Sequence, residues 1–212
     1  MNITQSQGNY LKLIFELNED GIVPSNKILS DRMAVSPPSV SEMIKKLRSL
    51  DLLHDDKLEL SAKGEEIAKT IISKHRLWET FLIKELGYSW TDVHEDAEKL
   101  ESVSSPVLYN RINIALDKPK QCPHGKTIYM NSSKSKDRIL LLDVEEKKEY
   151  EIAEVSDDID LLNYCMKNNL ILGTKLKVLE KNKYDLSIMV EIAGNKIQLS
   201  KKVCRNIKVR EI

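Results

Sequence analysis

The sequence predicts a mainly α-helical chain with a small β domain at its C-terminal end. Three observations carry that expectation. From residue 1 to about 130 the apolar residues recur at helical spacing, and beyond about 138 they alternate as strand residues do. Between the two patterns, NSSKSKD at 131–137 is polar and free of apolar side chains, so it reads as a linker. Charged residues make up 31% of the chain and aromatics 5%, a balance that favours helices.

In the helical part, Tyr10, Leu11, Ile14, Phe15 and Leu17 mark a first helix, which NEDG ends. A short second helix is expected over Ser25–Ala34. A third is expected over Pro37–Leu50, opened by serine and the proline pair, residues that favour a helix start. Within it Val40, Ile44, Leu47 and Leu50 are spaced to pack inward. LLHDDKLELS reads as two short strands around a polar turn. Ser61 opens a long helix through IAKTIISKHRLWETFLIKEL. One further helix holds VHEDAEKLES, and another runs from about Ser105 to Leu116. Beyond the linker, ILLLDV, EYEIAEV, TKLKVLE, LSIMVEI, KIQLS and NIKVREI read as strands, with a hairpin turn at AGN and one helix from about Asp158 to Lys167. Short strands at this spacing predict a small β-barrel.

Lys and Arg together number 33, as do Asp and Glu, so overall charge predicts no partner and any basic patch must be local. No apolar run approaches membrane-spanning length, and MNITQSQGNY has no signal-peptide core. The expectation is a cytoplasmic chain without a membrane partner. Three cysteines do not make a disulfide framework. Cys165 and Cys204 sit in apolar patterns and are expected in a core.

The second and third helices and the hairpin after them have the order of a winged helix–turn–helix. In that architecture the second helix of the pair enters the major groove of DNA, N-terminal residues first. Ser36, Ser39, Ser41 and Glu42 are short or polar groups at that end. Pro37 and Pro38 fix the backbone and offer apolar surface to a thymine methyl. Lys45, Lys46 and Arg48 follow where phosphates would lie. The wing DDK is hardly basic and should add little affinity. The bland alternative is a three-helix domain with a basic face, or a winged helix that contacts protein.

A second pattern points to metal. On one helix His94, Glu98 and Glu101 form a stripe beside the apolar stripe of Val93, Ala97 and Leu100. Glu98 and Glu101 repel each other unless a cation lies between them. On the long helix His75 and Glu79 sit one turn apart, in line with Ile71 and Leu82; a polar pair in an apolar ridge needs partners to offset its desolvation. Alone, such a pair is a satisfied buried hydrogen bond, and the acids are a solvated helix edge. Two His/Glu sets on neighbouring helices favour metal, and mixed carboxylate and imidazole donors suit Mn(II), Fe(II) or Zn(II). Cys122 and His124 put a thiol and an imidazole close together in CPHG, a weak signal by itself.

The order winged helix, KHRLWETFL, VHEDAEKLE, CPHG and small β domain resembles, over essentially the full chain, the DtxR/MntR family of metal-dependent transcriptional repressors. The resemblance implies a homodimer that binds a palindromic DNA operator when loaded with Mn(II) or Fe(II), and represses metal-uptake genes. It implies a DNA-binding domain over 1–64, a helical metal-binding and dimerisation domain over 65–130, the linker 131–137, and an SH3-like, FeoA-type domain over 138–212. It also implies two ligand sets. One would use His75, Glu79 and His94, completed by an acid of the C-terminal domain, Asp157, with Asp158 close behind. The other would use Glu98, Glu101, Cys122 and His124 with a ligand from the first helix, here Asn9. The family commonly has an acid or Met at the Asn9 position and His at the Ser102 position, so both changes weaken the second set. The reading that results is a metal-sensing DNA-binding repressor, not an enzyme. Two rivals remain: a winged-helix regulator with a degraded metal site, and a dimetal carboxylate enzyme. The second lacks a repeated Glu-x-x-His and leaves the winged helix unexplained.

Overall fold

A computed structural model describes residues 3–133 and 137–212. Helix α1 (Gln5–Glu19) begins at a reciprocal cap, in which Thr4 Oγ1 accepts from Gln7 N–H and Gln7 Oε1 accepts from Thr4 N–H. Helices α2 (Asn26–Met33) and α3 (Pro37–Ser49) follow, each capped by a serine, Ser25 and Ser36. Ala34 closes α2 in the left-handed region at φ 53°, which makes the tight turn into α3. Their inward residues meet α1 in a core of Leu11, Ile14, Leu29, Val40, Ile44, Leu47 and Leu52. The expected two-stranded wing is reduced to one bridge, Leu53 with Leu60. The exposed His54, Asp55, Asp56 and Lys57 between them bury nothing, so the ladder stops after one rung.

Helix α4 (Ala62–Leu86) is the spine of the molecule. Its first half, through Ala68 and Ile72, completes the N-terminal core. Its second half, through Leu77, Trp78 and Leu82, packs against Val93 and Ala97 of α5 (Val93–Val103) and Tyr109 and Ile112 of α6 (Pro106–Ala115). At ~1.5 Å per residue a helix of this length spans both cores as one rigid rod. It starts against the wing, because Gly64 leaves no room for a side chain: an added Cβ would stand 2.1 Å from the Leu52 carbonyl oxygen.

The C-terminal region is a six-stranded antiparallel sheet in the order β1-β6-β2-β3-β4-β5. The strands are β1 (Ile139–Leu140), β2 (Glu149–Val155), β3 (Lys175–Lys181), β4 (Ile188–Ile192), β5 (Asn195–Leu199) and β6 (Ile207–Glu211). Helix α7 (Ile159–Lys167) lies between β2 and β3. Register shifts between Ile152 and Glu154 and between Val178 and Glu180 bend the sheet around a core that includes Tyr150, Ile152, Leu162, Val178, Val190, Cys165 and Cys204. Ala193 and Gly194, with φ of 49° and 82°, make the expected hairpin turn. Two details differ from expectation. ILLLDV pairs over only Ile139 and Leu140 and then winds into a 3-10 turn. KKVC forms a one-turn helix, α8 (Lys201–Cys204), capped by Ser200. Of the expected linker, Asn131 is pinned, since its amide donates to Asn113 and to the Pro119 carbonyl; residues 134–136 lie outside the described residues. Among the described residues no helix is long and apolar enough to cross a membrane.

The Gly64 contact gives a stability test. Gly64→Ala forces helix and wing apart, and overpacking of this kind costs about 1–3 kcal/mol. Thermal unfolding should show a lowered midpoint; an unchanged or raised midpoint would mean the contact is slack.

Candidate metal centre

Four side chains from four segments converge. Glu79 comes from the middle of α4, His94 from the first turn of α5, His124 from the CPHG loop, and Asp157 from the residues just after β2. Each offers a ligand atom, and these atoms all lie within 4.8 Å of one another. Gly125 brings the loop to the sheet. Its φ is +85°, and an added Cβ would stand 2.1 Å from the Ala153 carbonyl oxygen. The Val155 N–H then donates to the His124 carbonyl at 2.9 Å, and Arg138 donates to the Gly125 carbonyl at 2.7 Å. With the loop fixed against β2, Asp157 arrives opposite His124.

Glu79 is 1% exposed. Its Oε1 is 2.9 Å from His94 Nδ1 and 3.2 Å from His75 Nε2, and its Oε2 is 3.7 Å from His124 Nδ1. Close as they are, none of these contacts is aligned as a hydrogen bond. Both Glu79 oxygens, His94 Nε2 and Asp157 Oδ1 are buried without a hydrogen-bond partner. Unpaired buried polar atoms are rare in folded proteins and costly. Four of them on three residues of one cluster are what a divalent cation would satisfy. Carboxylate and imidazole donors suit such an ion.

The surroundings prepare the donors. His124 Nε2–H points at the Trp90 carbonyl, 3.3 Å away, which leaves Nδ1 facing Glu79, Asp157 at 3.5 Å and the Cys122 sulfur at 4.0 Å. Burial alone would raise the Glu79 carboxyl; the charge of His75 and the other imidazoles hold it well below the usual range. Burial opposes the charged imidazole of His124, yet Cys122 and Glu79 push it up to about 11, so it is protonated near neutral pH in the absence of metal. Burial, reinforced by Glu79, raises the Cys122 thiol. Asp157 is held down, against its burial, by Lys126, whose Nζ is 2.9 Å away.

The structure divides the expected ligands differently from the resemblance. His124 and Cys122, expected with Glu98 and Glu101, stand with Glu79 and Asp157, because the Gly125 turn presses their loop onto β2. His75 bridges two groups: Nε2 faces Glu79, while Nδ1 is 2.9 Å from Glu101 Oε2. Glu101 also pairs with Lys12 of α1 at 3.1 Å. Glu98 is exposed on α5, at the edge of a cleft it shares with Lys12, His75, His94 and Asp157. Among the described residues no hydrogen bond or ion pair joins Asn9 to Glu98, Glu101, Cys122 or His124. Asp158 is not a substitute for Asp157, since its carboxylate caps α7 by accepting from Leu161 N–H at 2.9 Å. Sequence reasoning missed Lys126 and Lys12. Lys126 lies two residues past His124, and Lys12 lies one turn past Asn9, so each could have been read as the cation facing an expected acid.

The DNA-facing candidates have a separate setting. Ser36, Pro37, Pro38 and Ser39 are exposed at the N-terminus of α3, and Glu42, Lys45 and Lys46 are exposed along it. Ser36 and Ser39 hydroxyls are 2.9 Å apart, and Glu42 pairs with Lys46 at 3.1 Å on the open surface. Ser41 is engaged inward, donating to the Pro37 carbonyl and accepting from Asn26 of α2, so it fixes the angle between the two helices.

Comparison with known proteins covers all three parts of the chain. Residues 2–58 match the N-terminal DNA binding domain of iron dependent repressors, 61–130 their metal binding and dimerisation domain, and 139–211 the FeoA domain. The iron-dependent repressor IdeR of Mycobacterium tuberculosis is 34% identical over 122 residues, 56% of this chain; the match spans about half (53%) of that relative's own length. The solved manganese regulator SloR is 35% identical with a TM-score of 0.85, covering 99% of this chain and 100% of that one. A manganese-dependent transcriptional repressor in complex with manganese is 31% identical with a TM-score of 0.91, covering 97% of this chain and 100% of that one.

Two measurements check the centre. His124→Ala should weaken Mn(II) binding by at least about 100-fold, since it removes a donor and its fixed orientation. Because the ion must displace a proton from His124, binding should release protons, and affinity should rise with pH between about 6 and 8. Calorimetry in buffers of different ionisation enthalpy counts those protons; an affinity indifferent to pH would remove His124 from the donor set.

Proposed function

The chain belongs to the iron-dependent repressor family, and from that premise we propose that it is a metal-dependent transcriptional repressor, cytoplasmic and homodimeric, which binds a palindromic DNA operator and controls metal uptake. The observation that carries the proposal is the buried cluster of Glu79, His94, His124 and Asp157 with its unpaired polar atoms, set in a chain that also carries an exposed recognition helix. The family is regulatory, and we read the chain as having no catalytic function.

In this reading Glu79, His94, His124 and Asp157 hold the ion, with Cys122 at its border. A divalent cation bound there supplies the positive charge that two buried carboxylates lack. Mn(II) or Fe(II) is the physiological occupant; Zn(II) fits the same donors, and raw affinity favours it by the Irving–Williams order. The chain's own residues connect the centre to α1. Arg76, next to His75 on α4, donates to the Thr127 carbonyl beyond the CPHG loop at 2.7 Å and to Glu19 of α1 at 2.6 Å. Whatever fixes the loop therefore also fixes α1, and α1 carries the packing face of α2 and α3. The effect is a population shift toward the DNA-competent arrangement, no larger than the ion's preference for it.

The division into domains at 1–64, 65–130, 131–137 and 138–212 is part of the proposal, supported by separate N-terminal, middle and C-terminal cores. Self-association is supported by exposed apolar side chains on the middle helices: Val103 is 78% exposed, Val107 67% and Ile114 59%. Val107 and Ile114 lie two turns apart on one face of α6.

The deciding experiment is operator binding by chelator-treated protein titrated in turn with Mn(II), Fe(II) and Zn(II). DNA binding should appear with metal and be lost in Glu79→Ala. Binding that ignores both metal and Glu79→Ala would overturn the proposal. On the DNA side, Lys46→Ala should weaken binding to all sequences alike and reduce the salt slope by about 1, while Ser39→Ala should change which bases are preferred. The reverse pattern would mean α3 is not placed as argued.

A further inference from the structure

The second ligand set implied by the resemblance is built differently in this chain. Glu101 Oε2 accepts from Lys12 Nζ at 3.1 Å and from His75 Nδ1 at 2.9 Å. The Lys12 and Glu101 side chains are only 15% and 11% exposed, so the pair is enclosed. Ser102 turns its hydroxyl back onto its own helix, donating to the Lys99 carbonyl at 2.7 Å. Glu98 is exposed, and Asn9, the first-helix position of the implied set, is a neutral amide in place of a charged donor. The carboxylate that would anchor a second ion already has two cationic or hydrogen-bonding partners. Among the described residues, the groups around it offer no buried unpaired atom, in contrast to the cluster at Glu79.

We propose that the Lys12 ammonium serves in this chain as a built-in cation at Glu101, in place of a second metal ion, so that each subunit takes one divalent ion, at the buried centre. The inference rests on the reading of that centre as the metal site. An ammonium 3.1 Å from the carboxylate repels any divalent ion approaching Glu98 and Glu101. It also ties α1 to α5 whether or not metal is present, a link that an ion would otherwise make. His75 joins the two groups, with Nδ1 at Glu101 and Nε2 at Glu79. The internal ion pair therefore holds an imidazole at the rim of the metal centre. The metal response of the chain then passes through one ion, and the N-terminal region is partly positioned before that ion arrives.

The test is a Mn(II) titration of the full-length protein, with free ion read by electron paramagnetic resonance. Wild type and Lys12→Arg should each bind one ion per subunit. Lys12→Gln and Lys12→Met, which remove the charge with and without a polar end, should gain a second ion, bound at least about tenfold more tightly than any second event in wild type. Adding Glu98→Gln to Lys12→Gln should lose the gained ion. Wild-type protein that binds two ions, one of which is lost in Glu101→Gln, would overturn the inference. So would folded Lys12→Gln and Lys12→Met proteins that still bind one. The underlying reading is scored separately by Glu79→Gln, which should lose the first ion in either background. Retention of that ion would sink the buried centre, while the Lys12 comparison would still report on Glu101.

Discussion

A carboxylate that is 1% exposed, facing three imidazoles and a second carboxylate, sets the terms for the middle of this molecule. Leaving an ion such as Glu79 uncompensated in a protein interior costs several kcal/mol. The surrounding structure meets that cost only in part. Imidazoles approach Glu79 without aligned hydrogen bonds, and Asp157 adds a further negative charge offset by Lys126. The cluster is thus incomplete as a hydrogen-bond network and complete as a donor set. That difference separates a ligand site from a buried polar core, because a core selected for stability alone would pair its oxygens.

The same cluster is also where the separate parts of the fold meet. Glu79 lies on the helix that runs through two hydrophobic cores, and Asp157 lies on the C-terminal sheet domain. His124 lies on a loop that Gly125 allows to touch β2. Among the described residues Trp90, between α4 and α5, reaches the C-terminal core, and its ring lies 5.3 Å from the His124 ring. Polar contacts add to the joining: Arg76 with Glu19 and Thr127, Arg138 with Gly125 and Glu154, Lys12 with Glu101. Charged joints can be altered by one added cation, whereas interlocked apolar side chains resist such change. Arg76 links this junction to α1 through Glu19 and Thr127.

At the DNA-facing end the logic is the opposite. Helices α2 and α3 are fixed by burial of Leu29, Val40, Ile44 and Leu47 and by the Asn26–Ser41 hydrogen bond, and what remains exposed is short, polar or basic. The buried leucines and the Asn26–Ser41 bond hold α2 and α3 together as one rigid pair. The wing, reduced to one bridge and carrying two aspartates with Lys57 paired to Glu59, adds little order and no net positive charge.

The sequence by itself determined the helices and most strands, because those follow from local periodicity and from caps such as Ser25, Ser36 and Ser61, and it marked candidate donors through motifs whose residues lie within a turn of one another. His75 with Glu79, and His94 with Glu98 and Glu101, were legible as stripes. Asp157 was pointed to only by the resemblance, as the acid expected from the C-terminal domain. The short α8 and the single-rung wing were not legible, since four residues of KKVC carry no helical period and the turn residues between Leu53 and Leu58 of the wing, His54, Asp55, Asp56 and Lys57, are all exposed. Only the tertiary structure decided how the donors are grouped. His124 joins Glu79 and not Glu98 because a glycine with positive φ lets one loop touch β2, a contact between residues about thirty apart that no local pattern encodes. Lys12 meets Glu101 across 89 residues of chain for the same kind of reason: α1 and α5 both dock on α4, and their docking angles, set by core packing, place an ammonium where the spacing of the acids had implied a metal.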